Sequence, residues 1–593
     1  MADTCGAGDG ATLCAMPQNN TFPFTSEKFV SHVLIPILCL APLATLLLVP
    51  ILWHIAGPVL GWYLRKKTDG RRSHIIDLVQ SDEKKYAESR RTSTSSGGEG
   101  GSREDGGWEK LDTQTNGVAE GGETAADSDW DGIVGFFHPF CNAGGGGERV
   151  LWAAIRATQQ RWPKAKCVVY TGDHGVTKDA ILSRVKNRFN IHLHPPTINF
   201  LYLSTRHWVL ASTWPRFTLA GQSFGSLVLA WDAFSLLVPD MFIDTMGYAF
   251  ALGLARFLFG RAVPTGAYVH YPTISTDMLD SLDTADIGAP IPNKSIGNGL
   301  NAGQGAGLRG TAKRTYWRAF AAVYSRVGAA ADVVMTNSSW TQGHIQRLWA
   351  PFRKGGKTKA SDGAHPIAVV YPPVAVRELE HEVEVSPASE ARREKVVLYI
   401  AQFRPEKNHQ LILESFAQFL KSRPPSVTDN TRLVLVGSVR DDQDSKRVYQ
   451  LRLMVNELHI RDRVEFHLDA SWPEILEWLR RASVGVNGMW NEHFGIGVVE
   501  YQAAGLVAVV HDSGGPKLDI VVDVDGEPTG FHATTAAEFA EGFEKAFSLP
   551  NPYAVRQRAR QSAKRFTEEE FARRWTEQME KLVKLSPIGK KKA

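Results

Sequence analysis

Hydrophobic positions fall into three regimes along the chain. Residues 29–64 carry no formal charge and are rich in Leu, Ile, Val and Trp. A bilayer span needs about 20 apolar residues, so this stretch predicts a transmembrane helix after a short tail at 1–28. A cleaved signal peptide would instead show an apolar core of about 7–15 residues behind a basic region. The tail here holds Asp3, Asp9 and Glu27 against a single Lys, which disfavours that reading. Arg65, Lys66, Lys67, Arg71 and Arg72 follow the span, and such a basic flank predicts a lumenal N-terminus with everything after the span in the cytosol. Asn19-Asn20-Thr21 is then a glycosylation sequon on the lumenal side, close to the membrane.

The second regime, 65–130, is dominated by Ser, Gly, Glu, Asp and Thr. Too little apolar area is available there to offset the entropy of ordering, so a disordered tether is expected. From residue 131 onward, short apolar runs alternate with amphipathic stretches of helical length. Strands are expected at 133–137, 167–170, 199–203, 241–244, 267–270, 333–336 and 367–371, then at 396–401, 433–436, 464–468, 484–486, 507–511 and 530–532. Alternation of this kind is the signature of parallel sheets covered by helices on both faces. The fold class is therefore α/β: two doubly wound Rossmann-like domains facing across a cleft, at 131–376 and 395–551. A charged linker at 377–394 joins them, and helices at 552–593 are long enough to cross back over the first. Low-complexity surface insertions are expected at about 284–310 and at 353–363.

Residues 217–259 depart from the soluble pattern. They are strongly apolar and aromatic, yet Asp232, Asp240 and Asp244 interrupt them and argue against a second span. Two readings remain, a buried core helix and an interfacial surface that dips into lipid.

Composition narrows the function classes. The chain has 593 residues, a formal net charge of +4 and 43% hydrophobic residues, which suits a few folded domains. So small a basic excess argues against nucleic acid as the main partner. Only 5 Cys occur, with no CxxC spacing, so neither a disulfide scaffold nor a structural zinc site is expected.

Candidate chemistry clusters at strand ends. The first strand runs into Pro139-Phe140-Cys141-Asn142-Ala143 and then Gly144, Gly145, Gly146 and Gly147 before a helix starts at Glu148. Glycines admit close backbone approach and helix-start amides attract anions, although a tight strand-to-helix turn needs Gly in any case. The loop departs from GxGxxG, and no acid stands where a nicotinamide ribose would need one. In the second domain, Glu492 precedes a helix start at Gly495 and Ile496, and Glu500 lies within that helix. One carboxylate can accept sugar hydroxyls and the other ribose hydroxyls, while the amides between them face a diphosphate. Arg404 and Lys407 follow another strand, where two cations can neutralise a departing diphosphate. Gly514 and Gly515, before Pro516 and Lys517, supply a further loop to the same cleft. Asp523 and Asp525 form a DxD without a matching context and are read as a solvated turn.

These elements resemble the family 4 glycosyltransferases of the GT-B type, whose E-x7-E signature matches Glu492 and Glu500. The resemblance is carried by FFHPFCNAGGGGERVLW at 136–152, Arg206-His207-Trp208-Val209, Pro215-Arg216-Phe217-Thr218, the segment from His270 through Tyr271-Pro272-Thr273-Ile274-Ser275, and the run from Ala401 through Gln402-Phe403-Arg404-Pro405-Glu406-Lys407-Asn408-His409. It implies retaining transfer of mannose from GDP-mannose to a dolichol-diphosphate-linked oligosaccharide at the endoplasmic reticulum membrane, with other dolichol-pathway mannosyltransferases as further partners and no metal or other cofactor. Lys407 and Arg404 would hold the donor diphosphate, Glu492 the transferred sugar and Glu500 the ribose. His270 would sit near the sugar. Gly144, Gly145, Gly146 and Gly147 would close over the donor, with Phe494, Gly495, Ile496, Gly514 and Gly515 lining it. Arg206, Trp208 and Arg216 are acceptor candidates. Many relatives carry Arg five residues before the Lys, where this chain has Gln402. A different donor or acceptor on the same fold, or a catalytically silent scaffold subunit, are the alternatives.

Overall fold

The computed structural model describes residues 35–95, 129–280, 308–353 and 365–588. A long helix, α1 (Ile35–Ser95), comes first. The first lobe then alternates β1 (Ile133–Phe137), α2 (Gly146–Arg161), β2 (Lys166–Thr171), α3 (Lys178–Phe189), β3 (Ile198–Tyr202), α4 (Thr218–Leu236), β4 (Met241–Asp244), α5 (Ala249–Phe259), β5 (Thr265–Val269), α6 (Leu308–Gly328), β6 (Val333–Thr336), α7 (Ser339–Trp349) and β7 (Ala368–Val369). The second runs α8 (Val376–Glu382), β8 (Glu394–Ile400), α9 (His409–Ser422), β9 (Arg432–Gly437), α10 (Asp442–Glu457), β10 (Val464–Leu468), α11 (Trp472–Arg481), β11 (Ala482–Asn487), α12 (Ile496–Ala503), β12 (Val507–His511), β13 (Gly530–Ala533), α13 (Ala536–Phe547) and α14 (Pro552–Ala563). Helix α15 (Glu568–Leu585) closes the described chain.

Both sheets are parallel throughout, in the orders β3-β2-β1-β4-β5-β6-β7 and β10-β9-β8-β11-β12-β13. Their inner strands are buried along their whole length, as IVGFF in β1 and VAVVH in β12 show, because helices cover both faces and leave no wet side to alternate with. Strand order reverses between β1 and β4 in one sheet and between β8 and β11 in the other. Loops leaving the carboxyl ends of strands at such a switch point diverge and open a crevice for ligand.

Three expectations are corrected. The tether expected from residue 65 is helical through Ser95, and Leu64, Ile75 and Val79 are buried in the first-lobe core. Those three apolar side chains are few, but each finds a ready-made hydrophobic partner surface, so composition understated their effect. Thr68 and Arg71 fix the same helix to the lobe: Thr68 Oγ1 accepts from Val238 N at 3.4 Å, and Arg71 donates to Leu236 O at 3.0 Å. The linker expected at 377–394 includes nearly all of α8, whose Val376 and Leu379, with Val383 just after its end, are buried in the second-lobe core. Of the closing helices, α14 packs on α12 in the second lobe, and only α15 crosses back. Residues 1–34, 96–128, 281–307, 354–364 and 589–593 lie outside the described residues. They include the sequon, nearly all of both insertions and the start of the expected span, of which 35–54 is described as helical backbone alone. Among the described residues no helix is long and apolar enough to cross a membrane.

The segment 217–259 resolves into α4, β4 and α5. Leu229, Ala233, Phe234, Leu252 and Leu258 are buried, whereas Phe217 (69% exposed), Phe224 and Trp231 face outward. Helix α15 staples the lobes by laying Trp575 and Leu582 into the first-lobe core. Trp575 Nε1 donates to Thr158 Oγ1 at 3.1 Å, and Glu568 receives both Arg149 and Arg156. Removing so large a buried side chain costs about 3–5 kcal/mol. Trp575→Ala should therefore bring the first unfolding transition in urea to markedly lower concentration, while the conservative Trp575→Phe shifts it far less.

Candidate functional site

The second lobe presents two loops at its switch point. After β8 the chain makes a single turn at Pro405–Lys407 and enters α9 through Asn408, whose positive φ of 51° suits Asn. After β11, Asn487 Oδ1 accepts from Met489 N at 2.9 Å, Asn491 adopts φ 50°, and Gly495 at φ 105° opens α12. Gly is needed there because a Cβ at that φ is strained. The two loops bring Lys407 Nζ to 2.5 Å from Glu492 Oε2, and the same nitrogen reaches Met489 Sδ at 3.2 Å. Tyr399 holds the base of the first loop by donating to the Lys407 carbonyl. Burial pushes the Glu492 carboxyl up, but the Lys407 ammonium and its hydrogen bond outweigh this and hold it below the usual carboxylate value. The sequence-predicted pair is thus one ion pair in a partly buried cleft.

Glu500 lies on α12. Burial raises its carboxyl to about 7, against the pull of Arg149 from the first lobe. A Cβ added at Gly146 would lie 2.8 Å from Ile496 Cδ1, so the glycine loop of the first lobe abuts the start of α12. That loop is held by Glu148 Oε2, which accepts from Gly145 N at 2.6 Å, and by Arg188 Nε, which donates to Gly144 O at 2.6 Å. Gly144 takes φ 79°. Gly147 opens towards His270, whose Nε2 is buried without a hydrogen-bond partner and would stand 3.7 Å from a Cβ there. Burial and neighbouring His493 push His270 down to about 4 despite a bond to the Thr245 backbone. His138, 2.7 Å from the Thr245 hydroxyl through Nδ1, is pushed by burial to about 3. Both imidazoles are neutral at physiological pH.

Other predicted residues are placed differently. Gly514 and Gly515 do not line open space: a Cβ would fall 2.3 Å from Glu492 O and 2.6 Å from Phe494 Cα, respectively, and Gly515 N donates to Glu492 O at 2.8 Å. They let the loop after β12 lie directly against the Glu492 backbone. Phe494 is buried against Tyr371 and Phe566, so only its backbone borders the cleft. Arg404 stands 3.6 Å from Glu406 and lines a hollow with Arg447 and Gln450 rather than joining the Lys407–Glu492 pair. Arg206 pairs with Asp173 and lies over the Phe140 ring at 5.2 Å. Trp208 packs with Trp214 and Phe224, and Arg216 is exposed. Asp523 and Asp525 sit in an exposed turn closed by Val524 N to Glu527 O. Among the described residues no group of three or more His, Cys, Asp or Glu is placed to hold a metal ion.

The sequence reading missed the bridge between lobes. Asn491 Nδ2 donates to Asp277 Oδ2 at 2.9 Å, and the Tyr271 and His493 rings stack at 4.2 Å. Asp519 accepts Ser339 N and Tyr371 OH, each at 2.9 Å. Only the proximity of Tyr271 to His270 and of Asn491 to Glu492 along the chain hinted at them.

Two doubly wound parallel sheets meeting at the carboxyl ends of their strands make this a GT-B-type glycosyltransferase. Residues 131–349 match the family model described as ALG11 mannosyltransferase N-terminus, and 383–566 that described as glycosyl transferases group 1. The chain is 70% identical over 568 residues to the GDP-Man:Man(3)GlcNAc(2)-PP-Dol alpha-1,2-mannosyltransferase of Neurospora crassa, across 95% of this chain and 99% of that one. It is 42% identical over 458 residues to the Homo sapiens protein of the same name, across 76% and 87%. The N-terminal domain of Candida albicans trehalose-6-phosphate phosphatase shares the fold, with a TM-score of 0.53, 12% identity and coverage of 77% of this chain and 99% of that one. The chain belongs to the family of GDP-Man:Man(3)GlcNAc(2)-PP-Dol alpha-1,2-mannosyltransferases.

A cation and a carboxylate that meet only in the folded cleft are a sharp target. Lys407→Ala and Glu492→Gln should each lower kcat/KM by about 100-fold or more with folding intact, the scale of losing one preorganised charge. Steady-state kinetics with circular dichroism check this.

Proposed function

We propose that the protein transfers mannose from GDP-mannose, with retention, to Man3GlcNAc2 linked through diphosphate to dolichol, adding the fourth and fifth mannoses in α-1,2 linkage. The observation that carries this reading is 70% identity along nearly the whole chain to a relative bearing that name, joined to a charged pair at the switch point of the second lobe. Donor diphosphate would lie at the start of α12, where the amides of Gly495, Ile496 and Gly497 attract negative charge. Lys407 is positioned to take up charge on departing GDP, turning from Glu492 towards the diphosphate. Glu492 would orient the mannose hydroxyls, and the neutral His270 Nε2, lacking a protein partner, would meet the sugar under the glycine loop. Charge on the leaving group is then met by Lys407 and the amides, without a metal.

The apolar stretch 29–64 is proposed as an anchor in the endoplasmic reticulum membrane, with the N-terminus lumenal and both lobes cytosolic. Its basic flank supports this orientation, and the exposed Trp62, Tyr63, Phe217 and Phe224 suit contact with a lipid surface carrying the acceptor.

Purified protein in detergent, given labelled GDP-mannose and a trimannosyl phytanyl-diphosphate acceptor, should add two mannoses removable by an α-1,2-mannosidase, with or without EDTA. UDP-glucose should yield no product. Transfer from UDP-glucose, or none from GDP-mannose by folded protein, would overturn the reading. Glu500 supplies a pH test: its carboxyl, raised to about 7, is charged above that value and accepts ribose hydroxyls best there. The KM for GDP-mannose should rise as pH falls from 8 to 6, and Glu500→Gln should flatten that dependence.

A further inference from the structure

A hollow between the lobes adjoins the Lys407–Glu492 pair and opens to solvent, with about 410 Å³ of empty space counted out to that opening. Three parallel rings form one wall. Trp340 and Tyr271 lie 5.9 Å apart at 12°, Tyr271 and His493 4.2 Å apart at 24°, and Trp340 and His493 5.4 Å apart at 15°. Asp277, Glu406 and Asn491 supply the polar rim. Asp277 and Glu406 keep roughly a third and a quarter of their side-chain surface exposed. Met489 belongs to the same lining and touches Lys407, so the hollow adjoins the reacting pair directly.

Charge decides what fits. No lysine or arginine is among the residues lining the hollow, and two carboxylates are. A nucleotide diphosphate would be repelled there, so the space does not suit the phosphates of the donor. A neutral sugar suits it on both counts. Carboxylates and an amide accept and donate hydrogen bonds to hydroxyls, while aromatic faces cover the C–H face of a pyranose ring. On the second-lobe side the hollow is lined by the turn that precedes Glu492, Met489 to Asn491, and by His493 just after it. We propose that it is the subsite for the mannose residues at the growing end of the acceptor glycan, and that Trp340 and Asp277 set the affinity for that glycan. This inference rests on the mannosyltransferase reading and deepens it. Tyr271, Asp277 and Trp340 come from the first lobe; Glu406, Asn491 and His493 come from the second. The subsite is therefore complete only when the lobes meet, and acceptor binding and lobe closure favour one another.

Full-length protein in detergent tests it. Trp340→Leu should raise the KM for the trimannosyl phytanyl-diphosphate acceptor about tenfold, with the KM for GDP-mannose unchanged within about twofold. Trp340→Phe, which keeps a ring face, should recover most of the loss. Asp277→Asn, which retains an oxygen to accept the Asn491 amide, should also raise the acceptor KM selectively. It carries the test if Trp340→Leu melts early. Free α-linked mannotriose should inhibit competitively against the acceptor, and saturation-transfer NMR with mannotriose should show contact in the wild type and lose it in Trp340→Leu. A rise in the GDP-mannose KM alone, or acceptor kinetics unchanged in both Trp340→Leu and Asp277→Asn, would overturn the subsite. Because the NMR experiment needs no donor, mannotriose binding that survives Trp340→Leu overturns the subsite even if transfer fails. Failed transfer with mannotriose contact intact in the wild type counts against the reaction alone.

Discussion

Everything in the cleft is arranged around one constraint, the placing of a lysine ammonium and a glutamate carboxylate in contact within a partly buried crevice. Taking two charges out of water is costly, and only close approach with additional hydrogen bonds compensates for it. The protein meets that demand with backbone as much as with side chains. Asn487 fixes the turn after β11, Gly495 gives the positive φ that lets α12 start, and Gly515 donates to the Glu492 carbonyl. Each of these features holds Glu492 facing Lys407. On the proposed reading the pair is poised rather than inert, because an arriving diphosphate would offer Lys407 a stronger anion than one carboxylate does.

Both lobes contribute neutral groups to the same crevice, His138 and His270 from the first and His493 from the second. His138, His270 and His493 are pushed to about 3, 4 and 4, chiefly by burial, so the imidazoles beside the Lys407–Glu492 pair stay uncharged at neutral pH. Additional positive charge there would compete with Lys407 for the carboxylate and the leaving group. A neutral imidazole with an unpartnered nitrogen, such as His270, could instead meet a hydroxyl without altering the charge balance. Thr245 sets this up: its hydroxyl engages His138 and its backbone engages His270, while Asp244 at the end of β4 accepts the Met246 and Gly247 amides and so shapes the loop.

Much of this architecture was legible in the sequence because parallel, doubly covered strands must be continuous apolar runs. The expected positions of β1, β4, β6, β10 and β12 coincide with those observed, and the other strands differ by a few residues at their ends. The E-x7-E spacing likewise located α12 and both acids, since a helix start and two carboxylates must coincide there. What escaped was tertiary. Ile75 and Val79 lie in a polar stretch whose composition favoured disorder, yet a waiting apolar surface on the first lobe orders them. Arg404 and Lys407 are three residues apart on one turn, and only the folded loop shows that Lys407 alone meets Glu492. Gly514 and Gly515 were read as ligand-facing because loop glycines serve phosphates and close backbone contacts equally well. Trp340, at the first turn of α7, carried no signal until the opposing lobe brought His493 against it.

Stability and function converge where the lobes join. Buried Asp519 accepts a backbone amide from α7 and the hydroxyl of Tyr371, and burial raises its carboxyl despite those bonds. Helix α15 adds a second tie by burying Trp575 beneath β1 and β5, where it stacks near Phe136 and Tyr268. The lobes meet again beside the Lys407–Glu492 pair, where Asn491 donates to Asp277 and the His493 ring stacks on Tyr271 and Trp340. Opening the cleft there must unstack those rings and break that hydrogen bond. On the proposed reading, a sugar nucleotide and a glycan entering the cleft must compete with these contacts, while the buried Trp575 continues to hold α15 to the first sheet.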